Sequence, residues 1–180
     1  MSPAIIVAAI RRLFLPSLGT VLIGLGGLLG GCDRGTLEPS SINSRYTDEQ
    51  PALSGNGQFV AFVSSRHGIS QILLYNLKVR QFIALPGLNS TMTIAQNPSL
   101  SRNARYIAYL AGNQGKPDLF IYDRVTQRSE VLTSGYRNVI RSPSLSPDGR
   151  YLVFETDRRG QWDIEVIDRG ADIELDKPEG

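Results

Sequence analysis

The sequence predicts an all-β chain made of one four-stranded unit repeated three times, placed after an N-terminal helical signal segment. Three observations predict it. The segments PALSGNGQFVAF (51–62), PSLSRNARYIAY (98–109) and PSLSPDGRYLVF (143–154) align without a gap. Their prolines recur at intervals of 47 and 45 residues, a period found in β-propeller blades. Within each unit the apolar residues follow strand patterning rather than the 3.6-residue spacing of a helix.

The leader comes first. The chain has 180 residues with 19 basic and 17 acidic side chains. Arg11 and Arg12 account for the whole formal charge of +2, because residues 1–31 contain no acid and residues 32–180 hold 17 charges of each sign. That balance excludes a polybasic nucleic-acid binder. A hydrophobic content of 41% likewise excludes a disordered acidic chain. After the two arginines an uncharged run reaches Leu29-Gly30-Gly31-Cys32, which has the order of charged region, apolar region and small-residue cleavage site in a secretory signal peptide. A transmembrane anchor is the competing reading, since 19 uncharged residues are just long enough to span a bilayer. Pro16, six glycines between Gly19 and Gly31 and the placement of the single cysteine favour the signal peptide.

The cysteine after those small residues resembles a bacterial lipobox. The resemblance implies that Cys32 receives diacylglycerol and becomes the first residue after cleavage. Several acyl chains at about 0.8 kcal/mol per buried CH₂ hold a protein at a membrane. With its one cysteine acylated, the exported domain has no disulfide and depends on packing. Residues 1–31 are thus expected to be a lipoprotein signal peptide and residues 32–45 a polar tether carrying Pro39 and several serines. The chain is expected to be exported and lipid-anchored, facing the periplasm or the cell exterior.

The repeats occupy 46–180, in units of about 46–90, 91–136 and 137–176. Phe59, Ala61 and Val63 alternate with Val60 and Phe62, so the strand is apolar on both faces, as a strand between packed sheets must be. Asn56-Gly57 and Asp148-Gly149 are hairpin signals, because these residues tolerate positive φ. Asn103-Ala104 stands at the same place in the second unit, where alanine would be strained. Further matches are Ile72-Leu-Leu-Tyr-Asn76, Leu119-Phe-Ile-Tyr-Asp123 and Ile164-Glu-Val-Ile-Asp168. In the third unit the four strands are expected at about 140–146, 150–156, 162–168 and 171–175.

The segment SPDGRYLVF (146–154), followed by Thr156-Asp157-Arg158-Arg159-Gly160 and Asp163-Ile164, resembles the WD40-like PD40 repeat of the TolB C-terminal β-propeller. The resemblance covers roughly 46–175 and is strongest in the third unit. It implies a propeller in the cell envelope, linked to Tol-type envelope maintenance or biopolymer transport. TolB places a separate N-terminal domain before its propeller, and the run between Cys32 and Tyr46 leaves no room for one. Three repeats are also fewer than the four to eight blades that close a propeller. Two copies closing head to tail into six blades, an open three-blade arc and a piece of a longer propeller protein are the three resolutions.

Candidate chemistry is sparse. His67 is the single histidine, and its aligned residues Gln114 and Arg159 make its slot a polar loop tip. Asp148, Asp157, Asp163 and Asp168 crowd the third unit, yet Asp123 and Asp168 recur at the position of Asn76, where a short polar side chain caps a turn. No Cys/His metal cluster, nucleophile elbow or phosphate loop is readable. The 16 arginines against three lysines read as loop charges balanced by acid, and the strand aromatics as blade packing. The expectation is a non-catalytic envelope binding or scaffold module without cofactor, catalytic residue or metal site. Its expected partners are the membrane through Cys32 and an envelope protein or cell-wall component, not nucleic acid. The alternative is a propeller accessory to a hydrolase, or a small hydrolase acting on peptides or sugars.

Overall fold

The computed structural model describes residues 41–90, 94–112 and 116–178. The expected signal segment, Cys32 and most of the tether lie outside the described residues. Eleven strands form three antiparallel sheets. The first contains β1 (Asp48–Leu53), β2 (Phe59–Ser64), β3 (Gln71–Asn76) and β4 (Gln81–Ile83) in that order. The second repeats the order with β5 (Ile94–Leu100), β6 (Tyr106–Gly112), β7 (Asp118–Asp123) and β8 (Arg128–Val131). The third has β9 (Ile140–Leu145), β10 (Tyr151–Thr156) and β11 (Asp163–Asp168). All described secondary structure is β, as the repeat pattern predicts.

The hairpins form where the turn residues predict them. Gly57 and Gly149 have φ of 71° and 79°, and Ala104 is held at 55°. An L-residue in that region costs roughly 1 kcal/mol, so the second turn carries the strain its sequence foretells. A Cβ placed on Gly149 would collide with the Tyr106 ring.

Side-chain alternation on β2, β6 and β10 explains how the sheets stack. Ala61, Val63, Ile72 and Leu74 from the front of the first sheet share one core with Leu100, Ile107, Tyr109 and Tyr122 from the back of the second. Tyr106, Ala108, Leu110, Leu119 and Ile121 from the front of the second share another with Ile140, Leu145, Leu152 and Phe154 of the third. β6 thus feeds alternate residues into two cores, which is why it reads as apolar throughout. Each large side chain buried this way contributes about 1.5–3 kcal/mol.

One strand expectation is corrected. Residues 171–175 do not pair with β11, and the third sheet ends at three strands. The reason lies in the turn after β11. In the first two sheets the left-handed residue, Arg80 or Gln127 with φ of 57°, comes four positions after Asn76 or Asp123, and the next strand folds back. In the third it comes two positions after Asp168, at Gly170 with φ of 91°. The shorter turn sends the chain across to the second sheet instead.

Candidate functional site

Two constructions on the described surface are built rather than incidental. The first lies where β1, β5 and β9 converge. Each of these inner strands carries a register shift against its neighbour. The residues at the shifts, Gln50, Asn97 and Ser142, take φ of 53°, 51° and 53°, and each is followed by a proline. Gln50, Asn97 and Ser142 with Pro51, Pro98 and Pro143 surround one concavity of about 200 Å³. The Asn97 amide donates to Gln50 Oε1 at 2.6 Å, and the Leu145 amide donates to Ser99 Oγ at 3.0 Å. Side-chain bonds of this kind tie each inner strand to the next and hold the bulges in place.

Bulges re-aim side chains and are common at barrel rims and functional sites. Three non-glycine residues held left-handed at one repeat position represent roughly 1 kcal/mol of strain each. A single such residue would be a local accident, whereas three make the axial rim a property of the unit. The sequence marked the position through the repeated prolines, although the residues before them are Gln, Asn and Ser and so look unrelated.

The second construction is the C-terminal segment. In the first and third sheets the serine that ends the inner strand serves its own hairpin. The Ser54 hydroxyl donates to Asn56 Oδ1 and accepts from the Phe59 amide, and Ser146 does the same with Asp148 and the Tyr151 amide. In the second sheet the hairpin residue is Asn103, and Ser101 donates to Asp176 Oδ2 at 2.6 Å instead. The Asn103 amide and Nδ2 also donate to the Asp176 carboxylate, at 2.7 and 2.8 Å. A buried aspartate from 73 residues away thereby replaces the carboxylate that the third unit carries in its own turn.

The rest of the segment follows from that anchor. Arg105 donates to Glu174 at 2.8 Å, and the Tyr106 hydroxyl donates to the Glu174 carbonyl at 2.6 Å. Arg169 lies 4.4 Å from the Tyr106 ring centroid and donates to the Gly149 carbonyl. The bond to Glu174, opposed by burial and reinforced by Asp123, raises the Arg105 pKa further above its ordinary value. Burial pushes the Tyr106 phenol up. Arg124 is lowered by burial, with its guanidinium donating to the carbonyls of Asn103 and Ala104.

The sequence candidates do not converge on one place. His67 sits on an exposed loop tip beside Arg66, Phe82 and Asn89, which line a separate cavity of about 440 Å³. Asp148 caps the hairpin, and hydrogen bonds from Ser146 and the Arg150 amide hold its carboxyl low. Asp157 accepts from the Val139 amide at 2.9 Å. Asp163 pairs with Arg159 at 2.8 Å. Asp168 pairs with Arg150 and caps Gly170, which lowers its pKa to about 2. Asn76 and Asp123 cap the equivalent turns through the amides of Val79 and Val125. Among the described residues no three His, Cys, Asp or Glu side chains stand close enough to hold a metal ion. Cys32 lies outside the described residues.

On the back of the first sheet, residues 41–48 are held by a compact polar knot. Arg66 donates to Asp48 at 2.9 Å and to the Ile42 carbonyl, and its guanidinium lies 5.5 and 4.9 Å from the ring centroids of Phe62 and Phe82. Burial alone would raise the Asp48 carboxyl, but bonds from Ser64, Arg66 and Ser44 hold it well below the usual carboxylate range.

No family model matches the sequence, and no curated protein matches it. Solved structures do. TolB from Acinetobacter baumannii is similar at 25% identity with a TM-score of 0.55, over 72% of this chain and 31% of that one. The β-propeller domain of the Trilobed protease from Pyrococcus furiosus, a propeller of open velcro topology, is similar at 22% identity and a TM-score of 0.51, over 68% of this chain and 39% of that one. A puromycin-hydrolyzing peptidase from Mycobacterium tuberculosis gives 17% identity and a TM-score of 0.51, over 70% of this chain and 20% of that one. This chain therefore spans well under half the length of each of these proteins. The described residues have a TolB-like β-propeller fold, present as three blades.

Proposed function

We propose that this TolB-like propeller module is a membrane-tethered, non-catalytic binding protein of the cell envelope, and that its axial rim contacts an envelope protein or cell-wall component. The observation that carries the reading is the axial trio. Gln50, Asn97 and Ser142 hold the same strained conformation around one concavity. Rigid strands position them, as binding residues on a scaffold should be positioned. Export and lipid attachment at Cys32 supply the membrane tether in this proposal.

The competing reading is a propeller accessory to a hydrolase, or a small hydrolase acting on peptides or sugars. It requires acids or the histidine to converge at one rim. The positions of Asp148, Asp157, Asp163 and Asp168 at turns and in ion pairs support the binding reading instead.

The test is photo-crosslinking in cells with the full chain. A benzophenone side chain at position 142 is expected to give an adduct of discrete mass, and the same group at position 128 on outer strand β8 to give none. No adduct from position 142 contradicts axial binding. In the same cells Cys32→Ala is expected to release the chain from membranes, and undiminished retention contradicts lipid anchoring.

A further inference from the structure

Antiparallel order puts the β1–β2 and β3–β4 turns at one end of the first sheet, and the β5–β6 and β7–β8 turns at the same end of the second. Successive blades are related by rotation about the propeller axis, so these turns all face one way. The outer turns are 77–80, between β3 and β4, and 124–127, between β7 and β8. Their construction is shared. Asn76 Oδ1 accepts from the amides of Lys78 and Val79 at 2.9 and 3.1 Å, and Asp123 Oδ1 accepts from the Val125 amide at 2.8 Å. The Leu77 and Arg124 amides donate to the Gln58 and Arg105 carbonyls of the inner turns, and Arg80 and Gln127 take the same left-handed φ of 57°.

Small polar residues are the usual occupants of such turn tips. These two turns carry apolar side chains outward instead. Leu77, Val79 and Val125 are 42%, 54% and 69% exposed. Around them Lys78, Arg80 and Arg128 are exposed as well, and none of the three has an acidic partner among the described residues.

The carboxylates at this end are already engaged. Asp123 and Glu174 pair with Arg105, and Asp168 pairs with Arg150. Asp148 and Asp176 serve the hairpins. Exposed Asp172 is the exception. At the opposite end of the sheets the cations of the β2–β3 and β10–β11 turns are neutralised: Arg66 pairs with Asp48, Arg158 with Glu165 and Arg159 with Asp163. Unpaired positive charge beside protruding apolar side chains therefore distinguishes the outer turns of the first two sheets from the turns opposite.

We propose that this end of the molecule docks on an anionic lipid bilayer, with Leu77, Val79 and Val125 entering the headgroup region and Lys78, Arg80 and Arg128 meeting lipid phosphates. Equivalent turns facing one way suit a flat partner, which reaches both at once. Insertion of apolar side chains and attraction to anionic lipid act together in binding of this kind. Each Lys or Arg near such a surface changes partition by roughly fivefold, and salt screens the attraction. The proposal depends neither on axial binding nor on the lipid at Cys32.

The test is tryptophan fluorescence of the full chain on vesicles of equal parts brominated phosphatidylcholine and phosphatidylglycerol, since bromine quenches only a ring that reaches the bilayer. Trp162 is the single tryptophan, so Trp162→Phe clears the background, and Val79→Trp, Val125→Trp or Ile69→Trp is then added. Ile69 lies in the β2–β3 turn at the opposite end, and all three positions are exposed, so none of the changes threatens folding. Quenching is expected at positions 79 and 125 but not at 69, and it should weaken in high salt. Lys78→Gln with Arg80→Gln, the second copying Gln127, is expected to lower the ratio of docked to undocked chain read at position 125 about 25-fold, roughly fivefold for each cation. Quenching at position 69 as strong as at the two tips, equal quenching on brominated phosphatidylcholine alone, or no effect of the glutamines overturns the proposal. Absence of quenching at both tips also overturns it and leaves the surface to a protein partner.

Discussion

At the scale of single residues, Asp176 has the widest influence. Its carboxylate accepts from Ser101, from the Asn103 amide and from Asn103 Nδ2, and its own amide donates to the Asp148 carbonyl at 2.9 Å. One residue thus joins the hairpins of the second and third sheets. Removing the carboxylate leaves buried donors without acceptors, so Asp176→Ala is expected to lower the unfolding free energy by about 2–3 kcal/mol in a denaturant titration. Asp172→Ala, an exposed position on the same segment, should change it by less than about 0.5 kcal/mol. Equal effects would mean that the segment is not anchored through Asp176. This residue could not be read from the sequence, because the partners of its carboxylate lie more than 70 positions away and it has no counterpart in the other units.

At the scale of elements, the hairpin turns show both how far sequence patterning reaches and where it stops. Aligning Ala104 with Gly57 and Gly149 was enough to expect a strained turn, and all three positions have positive φ. Ala104→Gly is accordingly expected to stabilise the chain by no more than about 0.5 kcal/mol, because relief of the strain is largely offset by loss of a fully buried methyl group. Gly149→Ala should destabilise it by roughly 2 kcal/mol or more, since a methyl group there is both left-handed and pressed into the Tyr106 ring. Thermal melts of the two variants check the pair, and a shift of the same sign in both would contradict it. The missing fourth strand of the third sheet shows the limit. Residues 171–175 alternate apolar and polar as a strand does. What diverts them is a turn two residues shorter than its counterparts, together with the pull of Arg105, Tyr106 and Asn103 on Glu174 and Asp176. Local alternation carries no information about either.

At the scale of the whole molecule, the repeat period was sufficient for the architecture because each sheet buries its apolar face against the next. The same logic leaves the front of the third sheet without a cover among the described residues. The axial site was only half legible: the repeated prolines marked its position, but its left-handed trio came from the fold. The acids of the third unit, which looked like a cluster in the sequence, are distributed to turns and arginine partners once the strands are formed. Three stacked sheets, the last of which stops at β11 with the following segment bonded to the second sheet, are the claim on which the axial site rests. Residue-resolved amide hydrogen exchange on the full chain tests it most directly. Amides along β3 and β7 should exchange slowly, those of β11 that point away from β10 should exchange like loop amides, and the Asp176 amide should be protected. Slow exchange along both edges of β11, with a rapidly exchanging Asp176, would contradict it.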